Sequence, residues 1–276
     1  VLIFLLHTVV KLLSPKRFLA FVSHLKNFLY ILKRIAQCPI YGVKLSGRYF
    51  RYGEFMNKKI LVVAAHPDDE VLGCGGTMAR HAQNGDKVYI VFMSDGVNSR
   101  ENVKYNEENE RRECAKKASE ILGAQTPMFF DFPDNMMDTV PLLEIVKELE
   151  AYIQECQPNI IYTHYKGDLN IDHQITYQAV MTACRPTPRS SITQIYLFEI
   201  LSSTEWSITS TFSPAHFVDI SDEFELKIKA LKMYKEEIKD FPNSRSIESL
   251  TALSVFRGGS MGLNFAEAFS IERSLA

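Results

Sequence analysis

No run in this sequence is long and apolar enough to span a bilayer as a helix. The longest candidate, Val1 to Leu6, meets His7 and then Lys11. No basic stretch precedes it and no small-residue cleavage site follows, so it makes a poor signal peptide. Cysteine is sparse: five residues, at 38, 74, 114, 156 and 184, an odd number with no C-x-x-C pair. That argues against a disulfide framework and against a cysteine-built zinc site, and predicts a reducing, cytoplasmic setting. With 13 Gly, 11 Pro and 46% hydrophobic residues in 276, the chain is neither collagen-like nor low-complexity. No repeat and no long polar linker interrupts residues 57–276. Charge of one sign is also lacking: 31 Lys and Arg stand against 33 Asp and Glu, a net of -2. This predicts no nucleic-acid partner.

The balance is nevertheless uneven along the chain. Residues 1–55 hold nine basic residues and one acid, Glu54, for +8, and the remainder holds 22 against 32, for -10. Phe18, Val22, Leu25, Phe28, Leu29, Leu32 and Ile35 recur at helical spacing with Lys26, Lys33 and Arg34 between them. The pattern predicts a basic amphipathic helix suited to a membrane surface or a partner groove, and so a peripheral contact at the inner membrane face through residues 1–35. Two other readings stand beside it: a helix packed on the domain behind it, or a dispensable extension with Met56 as the true start. Residues 1–55 are therefore taken as an N-terminal extension and 56–276 as the main domain.

From residue 59 strands and helices alternate. Ile60–Ala64, Val88–Met93, Met128–Phe132 and Asn159–Thr163 read as strands, the first two continuously apolar as in strands buried on both faces, with further strands near 194–200 and 216–220. Helices are expected near 73–84, 105–121, 141–156, 173–184, 222–239 and 246–252. The fold class is α/β: a Rossmann-like, doubly wound, mainly parallel sheet with helices on both faces. Sites in such sheets form beyond the carboxyl ends of the strands.

Two chemistry-bearing turns sit there. The first strand runs into Ala65-His66-Pro67-Asp68-Asp69-Glu70. Three acids and a histidine at the end of a buried strand repel and lose hydration unless a cation joins them. His66 and Asp69 are three apart around a proline-bent turn and suit zinc, leaving Asp68 to act beside the metal. A helix N-terminus rich in acids explains part of this cluster but not all of it. The second turn, Thr163-His164-Tyr165-Lys166-Gly167-Asp168-Leu169-Asn170-Ile171-Asp172-His173, follows the strand at 159–163. His173 is a candidate third ligand. Asp172 and Asn170 are candidates for outer support of the metal or for helix capping.

Together these residues resemble the PIG-L/LmbE-like family of zinc-dependent deacetylases, which act on N-acetylglucosaminyl conjugates. The resemblance covers about 57–270 and includes Ser94-Asp95-Gly96, Pro133-Asp134 and Ala266-Glu267-Ala268-Phe269 as weaker marks. It implies His66, Asp69 and His173 as Zn2+ ligands. It also implies Asp68 as the general base for attack of a metal-bound water on the acetamide of an N-acetylated amino-sugar conjugate. Many members carry a histidine three positions before the last ligand, where it polarises the carbonyl. Here Asn170 stands there, able to donate a hydrogen bond but not a proton. His164 is a candidate for part of that role, or a strand-end histidine that only packs. Asp172 completes the expected catalytic set. The alternatives are a non-catalytic glycan-binding protein and a nucleotide-binding one, the latter suggested by Gly73-Cys74-Gly75-Gly76 at a helix start. Gly258-Gly259-Ser260-Met261-Gly262 reads as a surface turn or as a loop bordering the pocket. Arg257 and Arg245 could meet substrate polar groups or sit in surface turns.

Overall fold

The computed structural model describes residues 43–45, 48–50, 57–99, 107–188, 190–208 and 210–275. The amphipathic helix expected over 18–35, and the membrane contact assigned to 1–35, lie outside these. The chain divides into two compact units, Val1–Met56 and Asn57–Ala276. Within the first, β1 (Val43–Leu45) and β2 (Arg48–Phe50) form an antiparallel pair. No helix among the described residues is long and apolar enough to cross a membrane.

The second unit is built on a seven-stranded sheet. Its elements in chain order are β3 (Lys59–Ala64), α1 (Asp69–Gln83), β4 (Lys87–Ser94), α2 (Glu107–Leu122), β5 (Met128–Phe132), α3 (Leu142–Cys156), β6 (Ile160–His164), α4 (Ile171–Ala183), β7 (Gln194–Phe198), β8 (His216–Asp219), α5 (Phe224–Leu231), α6 (Ile247–Gly259) and β9 (Ala266–Ser274). The strand order is β5-β4-β3-β6-β7-β9-β8. The first five are mutually parallel, while β9 runs antiparallel to both β7 and β8. Alternation along the buried strands splits the core in two. Ile60, Val62 and Ala64 of β3 face a cluster with residues of α1, α2 and α5, whereas Leu61 and Val63 face one with residues of α3 and α4. The doubly wound architecture is the one expected.

Several local expectations are corrected. β9 is read from the sequence only as a motif mark, because Glu267 interrupts its apolar pattern. The helix expected over 222–239 stops at Leu231, and the one expected over 246–252 runs on to Gly259, so Gly258 and Gly259 close a helix rather than form a loop. Gly258 lies so close to the backbone of Leu263 and Phe265 that a Cβ there would come within 2.9 Å. The first helix begins at Asp69, not 73, and leaves helical geometry at Cys74 (φ -148°, ψ 23°). The neighbouring glycines allow this bent helix to approach the sheet: a Cβ on Gly73 would lie 2.5 Å from the Phe198 ring, and one on Gly76 2.8 Å from Ile220. The bend frees two backbone donors, and the Glu267 carboxylate takes both, from Gly76 N–H (2.9 Å) and Thr77 N–H (2.7 Å). Lys227 Nζ bridges this carboxylate (2.6 Å) to the Leu72 carbonyl (2.9 Å) on the other side of the bend. The pair is buried, so its charges are met by each other and by the helix ends.

Candidate metal centre

β3 and β6 are adjacent and parallel, so the turns after them share one edge of the sheet. After β3 the chain folds back sharply. Asp68 has φ 125°, a left-handed conformation unusual for a residue with a side chain, costing on the order of 1–3 kcal/mol. The Asp68 carbonyl accepts from Val71 and Leu72 N–H, and Glu70 Oε2 accepts from Asp68 N–H at 2.9 Å. The Glu70 carboxyl also accepts from Tyr234 OH at 2.6 Å; burial pushes its pKa up to about 8, against these two bonds. After β6, Asn170 caps α4: its Oδ1 accepts from Asp172 N–H (2.8 Å) and His173 N–H (3.3 Å).

These two turns bring His66, Asp69 and His173 together, all buried, with one ligand atom of each within 4.8 Å of the others. Asp69 Oδ2 lies 3.3 Å from His66 Nδ1 and 3.3 Å from His173 Nε2. The far nitrogen of each histidine is held by a carboxylate: His66 Nε2 by Asp172 Oδ2 at 3.0 Å, and His173 Nδ1 by Asp168 Oδ1 at 3.1 Å. Such bonds place the proton on the held nitrogen and leave His66 Nδ1 and His173 Nε2 with lone pairs directed inward. Asp69 Oδ1 and His173 Nε2 are buried without a hydrogen-bond partner. Buried polar atoms left unpartnered on two of these three residues are costly unless a cation meets them, so the donor set fits a divalent metal.

The electrostatics agree. Burial pushes His173 down, but Asp69 and Asp168 outweigh it and raise its pKa to about 9. His66 is likewise raised well above its ordinary value, with burial opposed by Asp134, Asp172 and Asp69. Asp69, despite burial, is held well below the usual carboxylate range by His173 and His66. The surroundings thus attract positive charge to this spot.

The remaining expected residues fall as follows. Asp172 lies behind His66, where it also accepts from Asn135 N–H (2.7 Å) and Met137 N–H (3.1 Å). Its two oxygens are thus taken up by His66 and two backbone N–H groups. Asn170 uses its Oδ1 for the cap and one amide N–H on Asn135 Oδ1 (3.1 Å). His164 is fully buried; its Nε2 accepts from Ala65 N–H at 2.8 Å, and its ring stacks on His173 with centroids 3.9 Å apart. Burial and the charge on His173 hold it well below its ordinary pKa. The ring is thus enclosed and packed on His173. Arg257 is committed to Glu199 by two bonds, of 2.8 and 2.7 Å. Arg245 does reach the site, donating to Asp68 Oδ2 at 2.7 Å.

Arg111 is a neighbour of the site that the sequence pattern does not single out, while Asp168 and Asp134 figure in it only as members of the second turn and of the Pro133-Asp134 mark. Asp168 anchors His173 and accepts from Ser203 (2.9 Å) and Thr204; its place in the turn between β6 and α4 was the available signal. Asp134, beyond β5, lies 3.3 Å from His66 Nε2, and its pKa is held at about 2 by His66 and Ser99 against burial. Arg111, on α2, lies 3.3 Å from Asp68 Oδ2.

Comparison with known proteins follows the same residues. The model of the PIG-L family, described as GlcNAc-PI de-N-acetylase, matches residues 61–184. An uncharacterized deacetylase of Escherichia coli is 32% identical over 184 residues, 64% of this chain and 91% of that protein. A diacetylchitobiose deacetylase of Thermococcus kodakarensis is 26% identical over 240 residues, 82% of this chain and 88% of that one. The crystal structure of a 4-carboxy-2-hydroxymuconate hydratase from Pseudomonas putida superposes with a TM-score of 0.66 at 24% identity, covering 79% of this chain and 98% of the other. At that identity the likeness shows the shared fold and no more.

Proposed function

Because the chain belongs to the PIG-L family and is a deacetylase-type amide hydrolase, we propose that it is zinc-dependent and removes the acetyl group from an N-acetylglucosamine-type conjugate, a small-molecule substrate. His66, Asp69 and His173 hold the metal in this reading. The observation that carries it is the pair of orphaned buried atoms, Asp69 Oδ1 and His173 Nε2, at a point where both histidines have their other nitrogen tied to a carboxylate. Zinc supplies Lewis-acid polarisation of the acetamide carbonyl and lowers the pKa of water to about 7.

The chain's own groups do the rest. Asp68, next to ligand Asp69, takes a proton from the attacking water and returns it to the leaving amine, giving acetate and a free amino sugar. Asp172 and Asp168 keep His66 and His173 in the tautomers that ligation needs. Asn170, with its oxygen fixed in the cap, retains an amide N–H for the developing oxyanion. The acidic turn and the absence of a helix start at Gly73 speak against a phosphate at Gly73–Gly76 and so against nucleotide binding.

The test is acetate release from a panel of lipid-linked, inositol, nucleotide, malate and chitobiose-type N-acetylglucosaminyl conjugates, with and without a chelator, beside elemental analysis. At least one conjugate releases acetate, the chelator abolishes it, and Asp68→Ala retains zinc without turnover. Acetate release that survives complete metal removal, or equal release by Asp68→Ala, would refute the assignment. Addition of water to an unsaturated acid with no amide cleaved would favour the hydratase chemistry of the Pseudomonas protein.

A further inference from the structure

Four charged side chains form a closed ring beside the metal centre. Arg245 Nη1 donates to Asp68 Oδ2 at 2.7 Å and lies 3.3 Å from Glu237 Oε2. Glu237 Oε1 is 2.5 Å from Arg111 Nη1, and Arg111 Nη2 is 3.3 Å from Asp68 Oδ2. Acid and base alternate around the ring, so it is neutral as a whole. Arg245 is held at a second edge by its Nε, which donates to Ser202 Oγ at 2.7 Å. Its planar fork is therefore fixed by a hydroxyl on one side and by carboxylates on the other.

The ring makes the two oxygens of Asp68 unequal. Both guanidinium groups converge on Oδ2, while Oδ1 is buried with no partner. A carboxylate free to rotate would present either oxygen. One pinned at Oδ2 from two directions presents only Oδ1. We propose that Arg245, steadied by Ser202 and Glu237, is a positioning residue that holds Asp68 by Oδ2 so that Oδ1 is the oxygen offered to the attacking water. The inference rests on Asp68 being the general base. Arg245 comes from the segment between α5 and α6, far in sequence from both metal-bearing turns, and lies outside the stretch that the family model matches.

The experiment uses the full chain loaded with zinc and the conjugate that the panel shows to be turned over fastest. Arg245→Ala lowers kcat by about 10- to 100-fold, the loss expected when a reacting group is misplaced by about an ångström, while KM and bound zinc stay within twofold of wild type. The Arg245 side chain is 24% exposed, so its removal opens a path from solvent. Guanidinium at low, non-denaturing concentration therefore restores part of kcat to Arg245→Ala, whereas methylammonium does not. Arg245→Lys stays impaired because an ammonium cannot span Ser202 and Asp68 as a fork. Ser202→Ala, a milder change, lowers kcat without altering the fold. Wild-type kcat in Arg245→Ala and Ser202→Ala, a loss confined to KM or zinc content, or an equal response to both cations would overturn the proposal. Asp68→Asn separates this failure from that of the base assignment. If Asp68→Asn is inactive while Arg245→Ala is not, only the role of Arg245 falls; if Asp68→Asn is active, the base assignment falls first.

Discussion

Asp172→Asn is the sharpest test of how the metal centre is held. Three donors aim at this fully buried carboxylate: His66 Nε2 (3.0 Å) and Asn135 N–H (2.7 Å) at Oδ2, and Met137 N–H (3.1 Å) at Oδ1. An amide of the same shape must turn its NH2 toward one side or the other. The less costly choice keeps the oxygen on His66 and Asn135 and sets the NH2 against Met137 N–H, leaving a buried donor unmet at about 1–3 kcal/mol of stability. The larger effect falls on the ligand. With the charge behind it gone, His66 is less basic and its tautomer less firmly set, a change that typically weakens metal binding 10- to 100-fold, or about 1.4–2.7 kcal/mol. Competition against a chromogenic chelator measures the zinc affinity, and thermal melts with and without chelator divide the loss between fold and metal. A folded Asp172→Asn that binds zinc within twofold of wild type would refute the view that His66 is oriented from behind by this carboxylate.

Glu267→Ala leaves Lys227 in the core without its counter-charge and strips the acceptor from two N–H groups at the bend in α1. It should cost about 3–5 kcal/mol in urea unfolding, with much of that recovered in Glu267→Leu/Lys227→Met; an equal or greater loss in the double variant contradicts this. Asp86 accepts from Lys58 N–H and pairs with His81; burial is outweighed by these partners and its pKa is lowered. Its contribution is therefore present at neutral pH, fades below the unfolded value of about 3.9, and is lost as pH falls through the folded one. Asp86→Asn should be less stable than wild type at pH 7 and converge with it in acid, and a gap that stays constant from pH 7 to pH 3 in urea midpoints would contradict this.

The turns of the candidate metal centre were legible because their signals are local. A buried apolar strand followed at once by His66, Asp68 and Asp69 is an electrostatic conflict visible within ten residues, and the second turn repeats it at His173. What escaped the sequence is what depends on partners far away. β9 does not read as a strand because Glu267 looks like a surface charge until Lys227 and the bend in α1 are placed around it. His164 and Arg245 show the same limit in opposite directions. A strand-end histidine beside a metal motif suggests contact with substrate, yet its ring is enclosed against His173. Arg245 lies in a turn rich in Pro, Asn and Ser that suggests solvent, yet it reaches Asp68 across 177 positions of sequence. Neither outcome follows from a neighbouring residue type, because each is set by which segment the fold brings alongside.

The place of β9 between β7 and β8 bears on how the enzyme matures during synthesis. All three proposed ligands have left the ribosome by residue 173, but β8 has no neighbour in the sheet until residues 266–274 emerge to join it to β7. The same segment delivers Glu267 to the helix that starts at the ligand Asp69. A nascent chain that stops short of β9 therefore carries a complete set of ligand residues on a helix whose bend is unsecured and whose buried lysine is unmatched. The helix that follows the first turn is thus secured by a strand 191 positions away in sequence.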